Sequence, residues 1–212
     1  EDVEVVNDDL GYGEWELVDS DGTFMTCDDK WDYFFFPIMT QELASVEGVL
    51  DYNFSTYKLQ PRLARDVVEG SGLVRMQRVQ QVLYSDLMKA GEDLVSDMSY
   101  MEGDTVTIEG IVTMPTGLSY AGEGVKFIFA DVNGGPWSAI LSYDPDSSAF
   151  PTLFEGDLIQ ATGFIDEYTT GPANMTELFI TEPINIIDFE QSLPPIDTVD
   201  TGGEILTFTV AG

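Results

Sequence analysis

The side chains in this chain that could do chemistry are almost all carboxylates. Asp and Glu number 39 against 8 Lys and Arg, there is no His, and Cys27 is the single cysteine. Without histidine the commonest general base and metal ligand is gone, which excludes His-dependent nuclease, protease and esterase mechanisms. One cysteine excludes cysteine-rich zinc sites and any intrachain disulfide. No Walker-type phosphate loop or dinucleotide fingerprint occurs. Carboxylates this dense pair by chance, and a glycosidase dyad needs a defined separation in a cleft that spacing alone does not supply. No catalytic residue is assigned, and the chain is read as a non-enzyme.

Two weaker chemistries stay open. Asp19 and Asp21 with the pair Asp28 and Asp29, Asp131 with Asn133, and Asp144 with Asp146 offer oxygen ligands beside turns, the donor set that calcium takes. None completes an EF-hand loop, and Asx-rich turns also exist for hairpin geometry alone. Tyr12, Trp15, Trp31, Tyr33, Trp137 and Tyr143 could stack on sugars or bases. Each lies in or beside a strand pattern, so a place in a barrel core explains them equally.

The elements that would position these groups are strands. At 212 residues with 43% hydrophobic and 12% aromatic content, the chain can bury a real core in one large or two small domains despite a formal charge of −31. Such a surface repels phosphate backbones, making nucleic acid an unexpected partner, and suits a salty or cation-rich medium. No apolar run approaches the ~20 residues of a membrane span, so no membrane partner is expected. The start at Glu1 fits a processed or excised piece, and an extracellular or cell-surface setting is expected.

Glu102 to Met114 is the clearest strand, with Val106 and Ile108 on one face and Thr105, Thr107 and Glu109 on the other. Its central Gly110 suits an opening strand that serves two sheets of a small curved barrel. Val125–Asp131, Ser138–Tyr143, Leu158–Asp166 and Glu177–Thr181 follow, with an irregular or short helical crossing over 144–157. Upstream, Glu14–Val18 and Thr23–Cys27 flank the hairpin turn Asp19-Ser-Asp-Gly22, and Glu42–Leu50 and Tyr57–Leu59 read as further strands. Met76, Val79, Leu83 and Leu87 recur at helical spacing, so 71–101 is read as a helical connector. The expected domains are a first barrel over 1–70, this connector, a second barrel over 102–190, and an extended arm over 191–212 with a terminal strand.

The halves repeat one another. Val46-Glu-Gly48-Val-Leu-Asp51 overlays Ala161-Thr-Gly163-Phe-Ile-Asp166, and Lys58-Leu59 before Pro61 overlays Glu177-Leu178 before Pro183. Five strands with a crossing between the third and fourth is the order of the OB-fold, a Greek-key barrel. Gly110 precedes Gly163 by 53 residues, and the same offset from Gly48 falls before the chain begins. The first barrel is therefore expected to lack its opening strand. The terminal segment Thr207-Phe-Thr-Val-Ala-Gly212 overlays Thr105-Val-Thr-Ile-Glu-Gly110 without gaps. Three arrangements fit: donation of Glu204–Gly212 to the next subunit, return into its own first barrel, or one period of a tandem array. An ordinary edge strand of the second barrel is the plain alternative.

Gly11-Tyr-Gly-Glu-Trp15, Asp19-Ser-Asp-Gly22, Asp28-Asp29 and Gly48 to Arg62 resemble tandem OB-fold accessory modules of secreted bacterial proteins, found with extracellular nucleases and in large surface proteins. The resemblance implies non-catalytic units that bind nucleic acid or glycans or space other domains; the extreme acidity departs from a nucleic-acid binder. The favoured expectation is a mostly-β structural subunit of two OB-like barrels that assembles head to tail, self being its partner. Ile205, Phe208 and Val210 would fill the groove, with Leu206 in the same strand. A glycan- or nucleic-acid-binding module is the alternative.

Overall fold

The structure, a computed structural model, describes residues 2–31, 35–70, 72–82, 98–170, 173–195, 198–200 and 205–207. The chain divides into two compact units, one built from Glu1–Arg78 and the other from Asp97–Gly212 with Val79–Val82. Both are mostly β.

The first unit holds β1 (Val3–Gly11), β2 (Glu14–Asp19), β3 (Phe24–Cys27), β4 (Glu42–Val46), β5 (Val49–Asn53), β6 (Thr56–Gln60), a 3-10 turn (Ala64–Asp66) and β7 (Val67–Glu69). They form one sheet in the order β5-β6-β3-β2-β1-β4-β7. Its core is Val5, Trp15, Leu17, Cys27, Phe35, Leu43, Ala64 and Val67. A five-residue helix, α1 (Met76–Gln80), follows; it begins at one of the periodic apolar positions, but the rest of the expected connector over 83–97 lies outside the described residues. Arg78 on α1 binds Glu69 and donates to the carbonyls of Ala64 (3.1 Å) and Val67 (3.0 Å).

The second unit holds β8 (Thr105–Met114), β9 (Val125–Ala130), β10 (Ala139–Asp144), β11 (Leu158–Thr170), β12 (Ala173–Ile180) and β13 (Asn185–Asp188). Its order is β12-β10-β9-β8-β11-β13, and an additional β11–β12 ladder closes the barrel. The crossing over 144–157 carries no helix. The expected arm contains a small hairpin, β14 (Thr198–Asp200) with β15 (Ile205–Thr207).

The strand registers make the two units equivalent position by position. Asp51↔Lys58 and Leu50↔Leu59 on β5–β6 match Asp166↔Glu177 and Ile165↔Leu178 on β11–β12. Leu59 and Leu178 lie beside Cys27 and Ser142 across a parallel pair. Cys27 and Ser142 face Trp15 and Phe127. Two residues on, Leu17 and Phe129 face Val5 and Val112. Gly48 and Gly163 are the pivots: a Cβ would come within 2.5 Å of the Gln60 carbonyl oxygen and 2.2 Å of the Phe179 carbonyl oxygen. Only a bare backbone allows that approach.

The expectation that the first barrel lacks its opening strand needs correcting: half of that strand is present. β1 pairs with β2 as β8 pairs with β9, and the Val5 and Val112 amides donate to the equivalent carbonyls of Gln41 (2.9 Å) and Asp157 (2.8 Å). That register places Val3 at the position of Gly110, eight residues on from where the 53-residue glycine offset puts it. β1 escapes a pattern search because bulges interrupt it between Val5, Asn7 and Gly11. Asn7 and Asp9 turn their carboxamide and carboxylate oxygens onto the Asp9 and Gly11 amides. What the first unit does lack, among the described residues, is an equivalent of Thr105–Glu109. β8 pairs with β11 from Ile111 back to Thr105, whereas β1 pairs with β4 only through Val3 and Glu4.

Candidate assembly groove of the first unit

In the second barrel the early half of β8 plugs the core: Val106 and Ile108 are buried, and the chain ahead of it continues the cover. The Gly103 amide donates to the Ile165 carbonyl (2.8 Å), and the Ile165 amide donates to the Asp104 carbonyl (2.9 Å). Ile165 is 0% exposed as a result.

The same place in the first unit is an open groove of about 340 Å³ lined by Val3, Leu17, Asp19, Thr23, Met25, Val46 and Leu59. Through the register these apolar residues correspond to Gly110, Phe129, Ile140, Ala161 and Leu178, the last four of which are buried. Met25, Val46 and Leu59 are only half-buried. Beyond the groove the same face carries Leu50, 57% exposed at the position of Ile165, and the tilted pair Tyr52 and Tyr57, each 60% exposed with ring centroids 4.8 Å apart. The surface is apolar and borders a strand edge, the arrangement that accepts an added strand. Sequence reasoning did not single out these lining residues. The overlay of Val46–Asp51 on Ala161–Asp166 contained the signal, since it sets exposed Leu50 on buried Ile165.

The opposite face carries charge inside the sheet. Lys58 is buried, binds Glu14, and reaches Asp28 at 3.3 Å. Burial opposes its charge, but hydrogen bonds to Glu14 and Asp28 outweigh that and raise its pKa. The second unit reverses the signs: Lys126 stands where Glu14 does and Glu177 where Lys58 does. Glu177 is buried, its Oε2 has no hydrogen-bond partner, and burial pushes its carboxyl upward against the opposing pull of Lys126. Lys126 also sits over the Tyr143 and Tyr168 rings at 5.7 and 5.5 Å.

The expected calcium ligands are occupied with turns. Asp19 Oδ1 accepts from the Asp21 (2.9 Å) and Thr23 (2.8 Å) amides, and Asp131 Oδ1, at the equivalent turn, accepts from Asn133 (2.9 Å). Asp28 accepts from the Asp29 amide, Asp144 from Asp146, and Asp146 from Ser148. Among the described residues no three His, Cys, Asp or Glu side chains converge as a metal site would require. Of the stacking candidates, Trp15 is core, packed on Phe35 at 5.1 Å, and cannot meet a ligand. Tyr143 is half-buried; Tyr12, Trp31 and Trp137 are exposed, and Tyr33 lies outside the described residues. Cys27 is buried, and burial pushes its thiol up to about 12.

On the donor side, β15 pairs Ile205 with Asp200 and Leu206 with Val199. Phe208 and Val210 lie outside the described residues.

No protein-family model and no curated protein sequence matches the chain. Solved structures similar to it include an OBody, AM1L10, bound to hen egg-white lysozyme, with 21% identity, 42% of this chain and 83% of that chain covered, and a TM-score of 0.31. The tetrameric p202 HIN2 domain shares 12% identity over 89% of this chain and 93% of its own, with a TM-score of 0.33. A murine DNA-binding protein bound to double-stranded DNA shares 13% over 88% and 97%, with a TM-score of 0.30. The OB-like description of the two units stands on their own strand order and registers.

Proposed function

We propose that the chain is a structural subunit that assembles head to tail, the segment Glu204–Gly212 of one copy completing the first barrel of the next. The carrying observation is the groove beside Val46 and Leu59, unfilled at the place where Val106 and Ile108 fill the second barrel. The donor sequence overlays the strand that fills that place. A contact between two different surfaces does not close on itself and builds filaments. The setting we infer is extracellular and salt-rich, in keeping with a charge of −31. Neither calcium nor catalysis is needed. Deleting residues 204–212 is expected to leave folded monomers by light scattering and negative-stain imaging. Filaments of normal length from that truncation would refute the proposal.

A binding module for polysaccharide or nucleic acid is the second reading, favoured only by the exposed rings of Tyr12, Trp31 and Trp137. Salt-dependent affinity for either polymer without self-assembly would support it.

A further inference from the structure

The acceptor extends beyond the groove, and its register can be stated. Building on the proposed head-to-tail assembly, we propose that the β14–β15 hairpin of a second copy docks along the whole face from Val46 to Tyr57, with Val210 opposite Val46, Phe208 opposite Gly48 and Leu206 opposite Leu50.

Three observations carry this. First, the second barrel supplies the template: Ile108 pairs with Ala161 and Val106 with Gly163. The hydrogen bonds between Ile165 and Gly103 and Asp104 continue that line one step further. Carried through the equivalent positions, the template sets Val210, Phe208 and Leu206 where stated. Second, volumes compensate. Leu17 stands where the second barrel has Phe129, and Phe208 stands where it has Val106, so a large donor residue meets the barrel with the smaller lining residue. Third, Leu50, Tyr52 and Tyr57 remain exposed on the groove's own face, past the reach of Phe208 and Val210. β15 reaches them. Its one edge pairs with β14, from Thr198↔Thr207 to Asp200↔Ile205, and a strand has a second edge to offer β5. The donor thus arrives as a two-stranded ribbon, and the ledge is covered by Leu206 with its hairpin neighbours. In the second barrel the equivalent of Tyr52 is Glu167, bound by the Ser99 amide at 2.6 Å, and that of Tyr57 is Thr176. Tyrosines replace these polar groups only in the unit that has the open slot.

The test mixes full-length Val46→Cys chains with full-length Val210→Cys chains under mild oxidation. Cys27 is buried and stays unreactive. Covalent dimers containing one chain of each kind are expected within the assemblies, and few when Thr207→Cys replaces Val210→Cys. Assemblies that form without this cross-link, or with equal yield from Thr207→Cys, overturn the register while leaving head-to-tail assembly standing. A Val46→Cys, Val210→Cys double variant that cross-links within a monomer at high dilution overturns the second copy as occupant. Absence of any assembly overturns the underlying reading. Independently, Leu50→Asp changes an exposed residue and should leave the fold intact by circular dichroism. Its critical concentration for assembly should rise at least tenfold, and an unchanged value would remove the ledge from the interface.

Discussion

The pair Lys126 and Glu177 shows how one position can be held with either sign of charge, and at what cost. In the first unit the buried cation Lys58 has two carboxylates, Glu14 and Asp28, and its raised pKa shows that partners outweigh burial. In the second unit the buried group is a carboxylate with one cation nearby and an oxygen left without a partner. Its folded pKa lies above the ordinary value near ~4.3, so the native state holds the proton more tightly than the unfolded chain. That contribution is fully present below the unfolded pKa and is lost as pH rises through the folded one. Wherever this carboxyl is ionised, its buried oxygen is a standing penalty. Glu177→Gln should therefore stabilise the protein at pH 7 by about 1 kcal/mol, the scale of one unpaired buried polar group, or roughly 2–4 °C in melting temperature. The gain should shrink toward zero near pH 3. A lower melting temperature at pH 7 would mean that the attraction to Lys126 exceeds the burial penalty.

At the scale of elements, each unit has a glycine pressed against another backbone, Gly163 within β11 and Gly48 between β4 and β5. Neither Gly48 nor Gly163 is in the left-handed region, so the requirement is space rather than conformation. Gly163→Ala should cost about 3 kcal/mol, the upper range for overpacking, because the added methyl meets rigid main chain at Phe179. Urea midpoints would check it, and a loss below half that figure would show that β12 can yield. These glycines were legible in the sequence, as were the Asp19-Ser-Asp-Gly22 turn and the matching pair Asp51 and Asp166, because backbone demands and strand alternation leave local marks. β1 was not legible: its bulges put Asn7, Asp8 and Asp9 inside a strand and erase period-two alternation. Lys58 and Glu177 were unreadable as buried groups, since charge in a sequence normally means solvent. The groove was half legible. The repeat pointed to a missing strand, but only the registers show that Val3 stands at the position of Gly110, and only burial shows that Leu50, Tyr52 and Tyr57 belong to the same surface.

For the whole molecule the governing quantity is the charge of −31, carried by a chain with only 8 basic residues. In the proposed head-to-tail assembly every added subunit would bring that charge toward like charge. The groove proposed as acceptor is lined mostly by apolar residues, with Asp19 its acidic group. Attraction at the interface is therefore short-ranged and hydrophobic, whereas repulsion is long-ranged and screened by salt. The Debye length falls from about 30 Å at 0.01 M to about 3 Å at 1 M. Raising monovalent salt across that span should speed elongation by more than tenfold and lower the critical concentration, with little effect on fibre geometry once formed. The truncation lacking residues 204–212 should show no such response. Potassium chloride and magnesium chloride compared at equal ionic strength separate screening from specific binding at the aspartate turns. Equal rates follow if carboxylates such as Asp19 and Asp131 serve the backbone amides they bind, and a strong preference for the divalent salt would instead make those turns cation sites.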